Sequence, residues 1–424
     1  MLEVTGSAGQ LRGLRAPGTL EWPVMSRYQD LRRRVGQTYR RASGQDAATL
    51  RAEMTELAGE VSALSAKVQQ LEPEPVQDVD VAILSDFRLP GGTTASIAEE
   101  VRAQSAAGLR TGLIHAQSEA TKTAVGFSAH MQSVLHLEGV HVVSARARVH
   151  ARLLVIRHPR VIETAAARFP GISADHVVLV ANHPAVDAAG TWHYDVESTD
   201  AHVRQLFGGE PVWAPISPVV RHSIAAQQTA VRTADTDWVN IFAEVPSPAL
   251  RSGFVADKPV VGRHSRPQRE KWPDTAEALL AAYPDSDRWQ IEVLGGAEIP
   301  EQILGRIPET WNVQPFGAEA PQHFLARLDF WVFMHHPAWR EAFGRAIIEA
   351  LAAGCVVVLP PYLREIFGSA AVYSEPSGVQ DIVAEHWDAP KKFLRQSHRG
   401  QAFAAEFGPH RHLNRLQDYG VSRG

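Results

Sequence analysis

From Val79 to Tyr373 short apolar runs alternate with stretches of helical pattern, in two consecutive series. This alternation constrains the fold more than any other feature of the chain. The first series has strand-like runs at Val79–Leu84, Thr111–Ile114, Leu153–Ile156, Val177–Ala181 and Trp238–Phe242. The second has them at Pro259–Gly262, Trp289–Leu294, Trp311–Val313, Asp329–Met334, Cys355–Leu359 and Ala371–Tyr373. Between them lie helical stretches such as Ala95–Ala107, which Gly108 stops. Apolar strands alternating with helices imply a parallel sheet covered on both faces. Two such series predict an α/β fold of two doubly wound, Rossmann-like domains, over residues 78–250 and 251–388, facing across a cleft. The join falls near residues 243–257. The tail, 389–424, reads as amphipathic helices. Ligands of such sheets bind beyond the C-terminal ends of the strands, so the cleft is the expected site.

The chain before the first strand is of another kind. Residues 1–45 form a basic arm with eight arginines between Arg12 and Arg41, and Met25 is an alternative start. A solvated tail and an arm that touches anionic lipid both fit it. Within residues 46–77, Leu50, Met54, Leu57, Val61, Leu64, Val68 and Leu71 are spaced alternately four and three apart. That is a three-heptad pattern. It suits a homodimer zipper over 47–71 or a helix docked on its own chain. Glu72–Pro75 then breaks it.

Composition closes off several function classes. The 424 residues are 45% hydrophobic and 21% charged with a net charge of −5, so wholesale nucleic-acid binding is not expected. Cys355 is the single cysteine, which excludes an internal disulfide and fits a reducing cytoplasm. It enters a buried strand, so it reads as a structural thiol. No apolar run is long enough to span a bilayer and the N-terminus lacks signal-peptide order. A cytoplasmic protein, peripheral to a membrane at most, is the expectation.

Three segments carry chemistry. After the first strand, Pro90-Gly91-Gly92-Thr93 opens a helix, where bare backbone can approach a phosphate. A tight strand-to-helix turn would look the same. After the first strand of the second series, Arg263, Arg266, Arg269 and Lys271 cluster in one loop, a cation set suited to a diphosphate. Near the end, Trp339–Gly354 holds Glu341 and Glu349 with seven residues between them, in a strand–loop–helix–strand context. The N–H groups of Ala342, Phe343 and Gly344 lie at a helix start and form a second anion site. An acid inside the apolar run Ala346–Ala353 would be costly to bury unpaired, so Glu349 is expected to face a polar ligand. Sugar and ribose hydroxyls are partners of the right kind for both acids.

Together these segments resemble retaining glycosyltransferases of the GT-B fold, of the group 1 or family 4 kind, whose E-x7-E signature matches Glu341–Glu349. The resemblance covers roughly residues 79–385. It implies a nucleotide-diphosphate sugar as donor, no cofactor and no metal. Glu341 would hold sugar hydroxyls and Glu349 the ribose. Arg263 and Lys271 would stabilise the departing diphosphate, with Gly91, Gly92 and Arg266 beside it. A histidine near the sugar is expected; His183 is the candidate, with His115 second. Phe316 borders the nucleobase or packs in the core. His335 and His336 read as loop residues near the donor rather than metal ligands. The implied activity moves a hexose to a hydroxyl acceptor, a surface polysaccharide or glycolipid, with retention. Two alternatives remain at this level: an epimerase or phosphorylase on the same fold, and a non-catalytic scaffold.

Overall fold

The computed structural model describes residues 76–119, 121, 126–143, 147–165, 169, 171–242 and 249–422. The basic arm, Met25, the heptad segment and part of the expected join lie outside them. Val142–His150 and Gly171–Ser173 belong to a separate compact unit, while Val79–His141, Ala151–Pro170 and Ala174–Gly424 form the larger one. The larger unit holds the strand ends and loops described below.

The first sheet contains β1 (Val76–Ser85), β2 (Thr111–His115), β3 (Val140–Val142), β4 (Arg148–Arg157), β5 (Ile172–Ala181) and β6 (Val212–Pro215), in the order β3-β2-β1-β4-β5-β6. The second contains β7 (Val260–His264), β8 (Gln290–Leu294), β9 (Trp311–Gln314), β10 (Phe330–Val332), β11 (Val356–Leu359) and β12 (Val372–Tyr373), in the order β12-β11-β10-β7-β8-β9. Every pairing in the second sheet is parallel. Both sheets follow one plan: the strand order reverses between the first and fourth strands, β1/β4 in one and β7/β10 in the other. That reversal opens a crevice where the flanking connections diverge, the usual ligand position in such sheets. Two Rossmann-like sheets of this kind constitute the GT-B architecture.

The helices used below are α1 (Gly92–Ala106), α2 (Pro218–Ala225), α3 (Arg345–Ala352), α4 (Val379–Trp387), α5 (Pro390–Ala405) and α6 (Pro409–Gln417). No helix among the described residues is long and apolar enough to cross a membrane. The second core forms where Val261, Ile291, Val293, Phe330, Val332, Val356 and Val358 meet Leu279, Val379, Val383 and Phe393. Helix α3 buries Ile347, Ile348, Ala350 and Leu351 and packs on α5, where a side chain at Gly400 would press on Leu351. Helix α6 packs on α1 of the first sheet. There the buried Glu100 accepts hydrogen bonds from Arg157 (2.9 Å) and Trp238 Nε1 (2.8 Å), and His412 of α6 bonds Gln104 (2.9 Å). Removing one partner of such a buried charge pair costs about 3–5 kcal/mol. This cluster therefore holds Arg157, and with it the end of β4, firmly in place.

Two sequence expectations change. Trp238–Phe242 is not a strand. It crosses the end of β6 through Trp238 N–H to Pro215 O (2.7 Å) and then meets the tail through Phe242 N–H to Phe407 O (2.8 Å). Its apolar character reflects burial of Trp238, Ile241 and Phe242 rather than sheet pairing. The sheet's last strand is instead β6, only four residues long and ending in proline, which periodicity does not reveal. The helical reading of Trp272–Ala282 also shortens, to a helix at Ala276–Ala282, while a separate single turn at Arg269–Lys271 precedes it.

Candidate active site

A cavity of about 400 Å³ lies where the C-terminal ends of the two sheets meet. From the first sheet it is lined by the β1–α1 loop and by residues after β4, β5 and β6. From the second it is lined by residues after β7 and by the loop that leads into α3.

The glycine turn is built by backbone strain. Gly91 has φ 109° and ψ −145°, a region that side chains do not tolerate, and α1 begins at the next residue. Thr94 Oγ1 donates to Leu89 O (2.7 Å), closing the turn. No side chain caps the helix, so its first N–H groups face the cavity end uncapped. The Arg266 guanidinium lies over Gly91: Nη1 would be 3.6 Å from a Cβ placed there. Among the described residues no carboxylate pairs with Arg266. Lys271, also on the cavity wall, donates to Glu341 Oε2 at 2.7 Å. Burial by itself would raise the Glu341 carboxyl. The Lys271 ammonium, His335 and the Phe343 N–H outweigh it and hold the carboxyl below its ordinary value.

Arg263 sits elsewhere. It is 1% exposed and does not line the cavity. Its guanidinium donates to Lys271 O (2.6 Å), Met334 O (3.2 Å), Tyr283 Oη (3.1 Å) and Ser265 Oγ (3.3 Å), and stacks 3.8 Å from the Trp272 ring. The expected direct contact with a diphosphate is therefore replaced by support of the Lys271 loop. The cation sits at the last turn of a strand, which points alternate side chains into the core.

The loop 341–344 precedes α3, which starts at Arg345 with Gly344 as its N-cap at φ 84°. A side chain at Gly344 would strike Ile347 Cδ1 at 2.5 Å. Three groups hold the loop from behind. Glu341 N–H donates to Tyr362 Oη (2.9 Å), Tyr362 Oη bonds His335 Nε2 (2.8 Å), and His335 Nδ1–H donates to His336 O (2.9 Å). With Nδ1 carrying the proton, Nε2 accepts from the tyrosine. Burial pushes the His335 imidazolium down to about 4. From the other domain Ser217 Oγ, at the start of α2, bonds Ala342 O. The Phe343 ring packs on Phe407, and its N–H bonds the Glu341 carboxylate.

Glu349 is neither buried nor unpaired. Its side chain is 28% exposed and accepts from His264 Nε2 at 3.2 Å. Trp331 Nε1–H, which can only donate, bonds His264 Nδ1 at 3.0 Å, so the His264 proton is on Nε2. His264 and Trp331 line the cavity and Glu349 does not. His264, missed by the sequence reading, follows Arg263 in the run Val261–Ser265; the strand alternation opposite a buried Arg263 was its only signal. Arg345 spans the domains: it is 3.6 Å from Glu99, stacks on Phe242 (4.3 Å) and reaches Glu349 at 4.0 Å.

On the first-sheet side His183 lines the cavity and donates Nδ1–H to Pro184 O (2.9 Å). Burial lowers its basicity, as do His193 and Arg160. Beside it stands His158, also unforeseen, at φ 84° and stacked 6.2 Å from His183. Burial brings His158 down to about 3. His115 packs between Phe87 and Phe127 and is not on the wall. Phe316, 62% exposed, does not line the cavity either, and neither does Arg269. Among the described residues no three His, Cys, Asp or Glu side chains form a metal cluster.

Two doubly wound domains with phosphate-suited elements at both switch points place the chain in the GT-B fold class. No protein-family model and no curated protein matches it. Solved structures do. HepE from Anabaena, in complex with UDP and glucose, aligns with a TM-score of 0.57 at 13% identity, over 80% of this chain and 98% of that one. A glycosyltransferase from Rickettsia africae aligns at 0.54 and 12% identity, over 81% and 98%. At such identity the likeness establishes the shared fold.

Proposed function

We propose that the protein is a glycosyltransferase that moves a hexose from a nucleoside-diphosphate donor to a hydroxyl acceptor with retention of configuration. The observation that carries this reading is the convergence of Arg266, the Gly91–Gly92 turn and the Lys271–Glu341 pair on one cavity at both switch points. The names of the structural neighbours, a glycosyltransferase and a protein holding UDP and glucose, point the same way.

In this reading the diphosphate lies between the α1 N-terminus and Arg266, with Lys271 beside the leaving oxygen. Negative charge grows there as the glycosidic bond breaks, so cations and N–H groups already in place lower the barrier. Glu341 and the backbone of Ala342–Gly344 hold sugar hydroxyls. The ribose falls to the His264 ring, which lines the cavity and which Glu349 orients. The acceptor oxygen attacks the face from which the diphosphate departs, and the leaving phosphate accepts its proton. No metal is needed where two cations and a helix terminus meet the charge. Residues 78–250 form the acceptor side and 251–388 the donor side. The basic arm and the heptad segment suit, respectively, a peripheral membrane contact near a glycolipid or polysaccharide acceptor and a homodimer.

The test is a thermal-shift screen of nucleoside-diphosphate sugars, followed by product analysis with donor alone and with glycan acceptors. At 100 times its dissociation constant a true donor stabilises by about 2.7 kcal/mol. Transfer or slow donor hydrolysis, lost in Glu349→Ala with melting unchanged, is expected. An epimerised donor without acceptor, or no stabilisation by any nucleotide sugar, would overturn the reading.

A further inference from the structure

The two walls of the cavity differ in kind. Every ionised side chain on it comes from the second domain: Arg266, Lys271, Glu341 and Arg345. Among the described residues the polar groups of the first-domain wall are all uncharged, among them Thr93, Ser96, His158, Asn182 and His183. The two histidines stay uncharged at neutral pH, because burial brings His158 to about 3 and lowers His183.

This wall also has hydrogen-bonding capacity to spare. Ser96 is 1% exposed, and among the described residues its Oγ has no partner. His158 Nδ1 and Asn182 Oδ1 are likewise buried without one. Asn182 Nδ2 donates to Thr93 Oγ1 at 2.8 Å. Turning the amide over would move the vacancy to Nδ2 and leave one polar atom unbonded either way. Thr93 and Ser96 stand three apart at the start of α1, on one face, and they line the same cavity as Asn182 and His158. Natural proteins rarely bury such atoms unpaired, and a site built to bond a hydroxyl discriminates strongly against groups that cannot replace it.

We infer that Ser96, Asn182 and His158 form a recognition patch for the hydroxyls of an uncharged sugar ring, selecting against uronic-acid and amino-sugar groups. Hydroxyls donate and accept, and so match a serine hydroxyl, an amide and a neutral imidazole together. A carboxylate or ammonium placed there would lose its hydration and meet no counter-ion on that wall. The ring belongs to the donor or to the acceptor. The inference deepens the glycosyltransferase reading and rests on it for the identity of the ring, not for its chemistry.

The test uses the full chain and saturation-transfer NMR with methyl α-glucoside, glucuronate and glucosamine as separate probes. Wild type is expected to show transfer to the glucoside and much weaker transfer to both charged sugars. Ser96→Ala/Asn182→Ala, with its melting curve checked, is expected to weaken glucoside binding about tenfold, or about 1.4 kcal/mol. Ser96→Ala alone, which removes no bond made within the protein, is expected to show part of the same loss. Equal or stronger transfer to a charged sugar, no transfer to the glucoside, or an unchanged signal in both variants would overturn the patch. Calorimetry with UDP and UDP-glucose then finds the source. If the double variant weakens UDP-glucose but not UDP, the patch reads the donor's sugar. If it weakens neither, while glucoside binding falls, it reads the acceptor's. Failure of wild type to bind UDP would sink the nucleotide reading while the sugar experiment still decides the patch.

Discussion

Replacing Lys271 by methionine should make the protein's stability depend on pH in the opposite sense to wild type. The Lys271 and Glu341 side chains are 15% and 17% exposed and 2.7 Å apart, well enough buried that solvent screens them little. Losing one partner of a buried pair costs about 3–5 kcal/mol. Glu341 keeps the Phe343 N–H, so the low end, about 3 kcal/mol, is the better figure. In wild type the folded Glu341 titrates below its ordinary value. Its stabilisation is therefore present above the ordinary carboxylate range and is lost as pH falls through the lowered value. Without the cation, burial becomes the dominant influence and the folded carboxyl rises above its ordinary value. The charged form then destabilises the fold at neutral pH, and acidification relieves it. Calorimetric melting of Lys271→Met, Glu341→Gln and the double variant at several pH values reads this directly. At pH 7.5 the single lysine variant should melt roughly 6–12 °C below wild type, at 2–4 °C per kcal/mol. The gap should narrow towards pH 5, and Glu341→Gln should restore about 2 kcal/mol in the Lys271→Met background. A constant gap across pH, or a coupling near zero, would refute the description of the pair.

Arg263→Met should lower stability by about 3 kcal/mol, since Lys271 O, Met334 O and Tyr283 Oη lose a charged donor. It should also weaken UDP binding in calorimetry, although Arg263 does not line the cavity, because Lys271 loses its support. Arg266→Ala should leave the melting temperature unchanged and weaken UDP about tenfold, the effect of one charge-assisted bond. Unchanged UDP affinity would remove Arg266 from the phosphate site. Gly91→Ala should weaken UDP at least as much, as it forces a side chain to φ 109° beneath the Arg266 guanidinium.

The site was legible in the sequence only in outline. Lys271, Glu341, the glycine turn and His183 all reach the cavity, because each stands just past a strand or at a helix start, positions that the topology brings together. Arg263 and Arg266 could not be told apart from spacing alone. One lies at the last turn of β7 and points into the core; the other is past it and exposed. His264, His158 and Ser96 carried no motif, and His158 owes its place to a left-handed backbone at the end of β4.

What the sequence determined by itself is local and periodic. The alternation of apolar strands with helices sets two parallel sheets, Gly91 and Gly344 set left-handed turns, and the acids and cations are placed at strand ends. The tertiary structure alone decided partnership: that Glu349 is held by His264, that Arg263 braces Lys271, and that the cavity has one charged and one neutral wall. The reason is physical. Periodicity follows from bonds between near neighbours along the chain, whereas pairing, burial and the electrostatic character of a wall depend on residues tens to hundreds of positions apart.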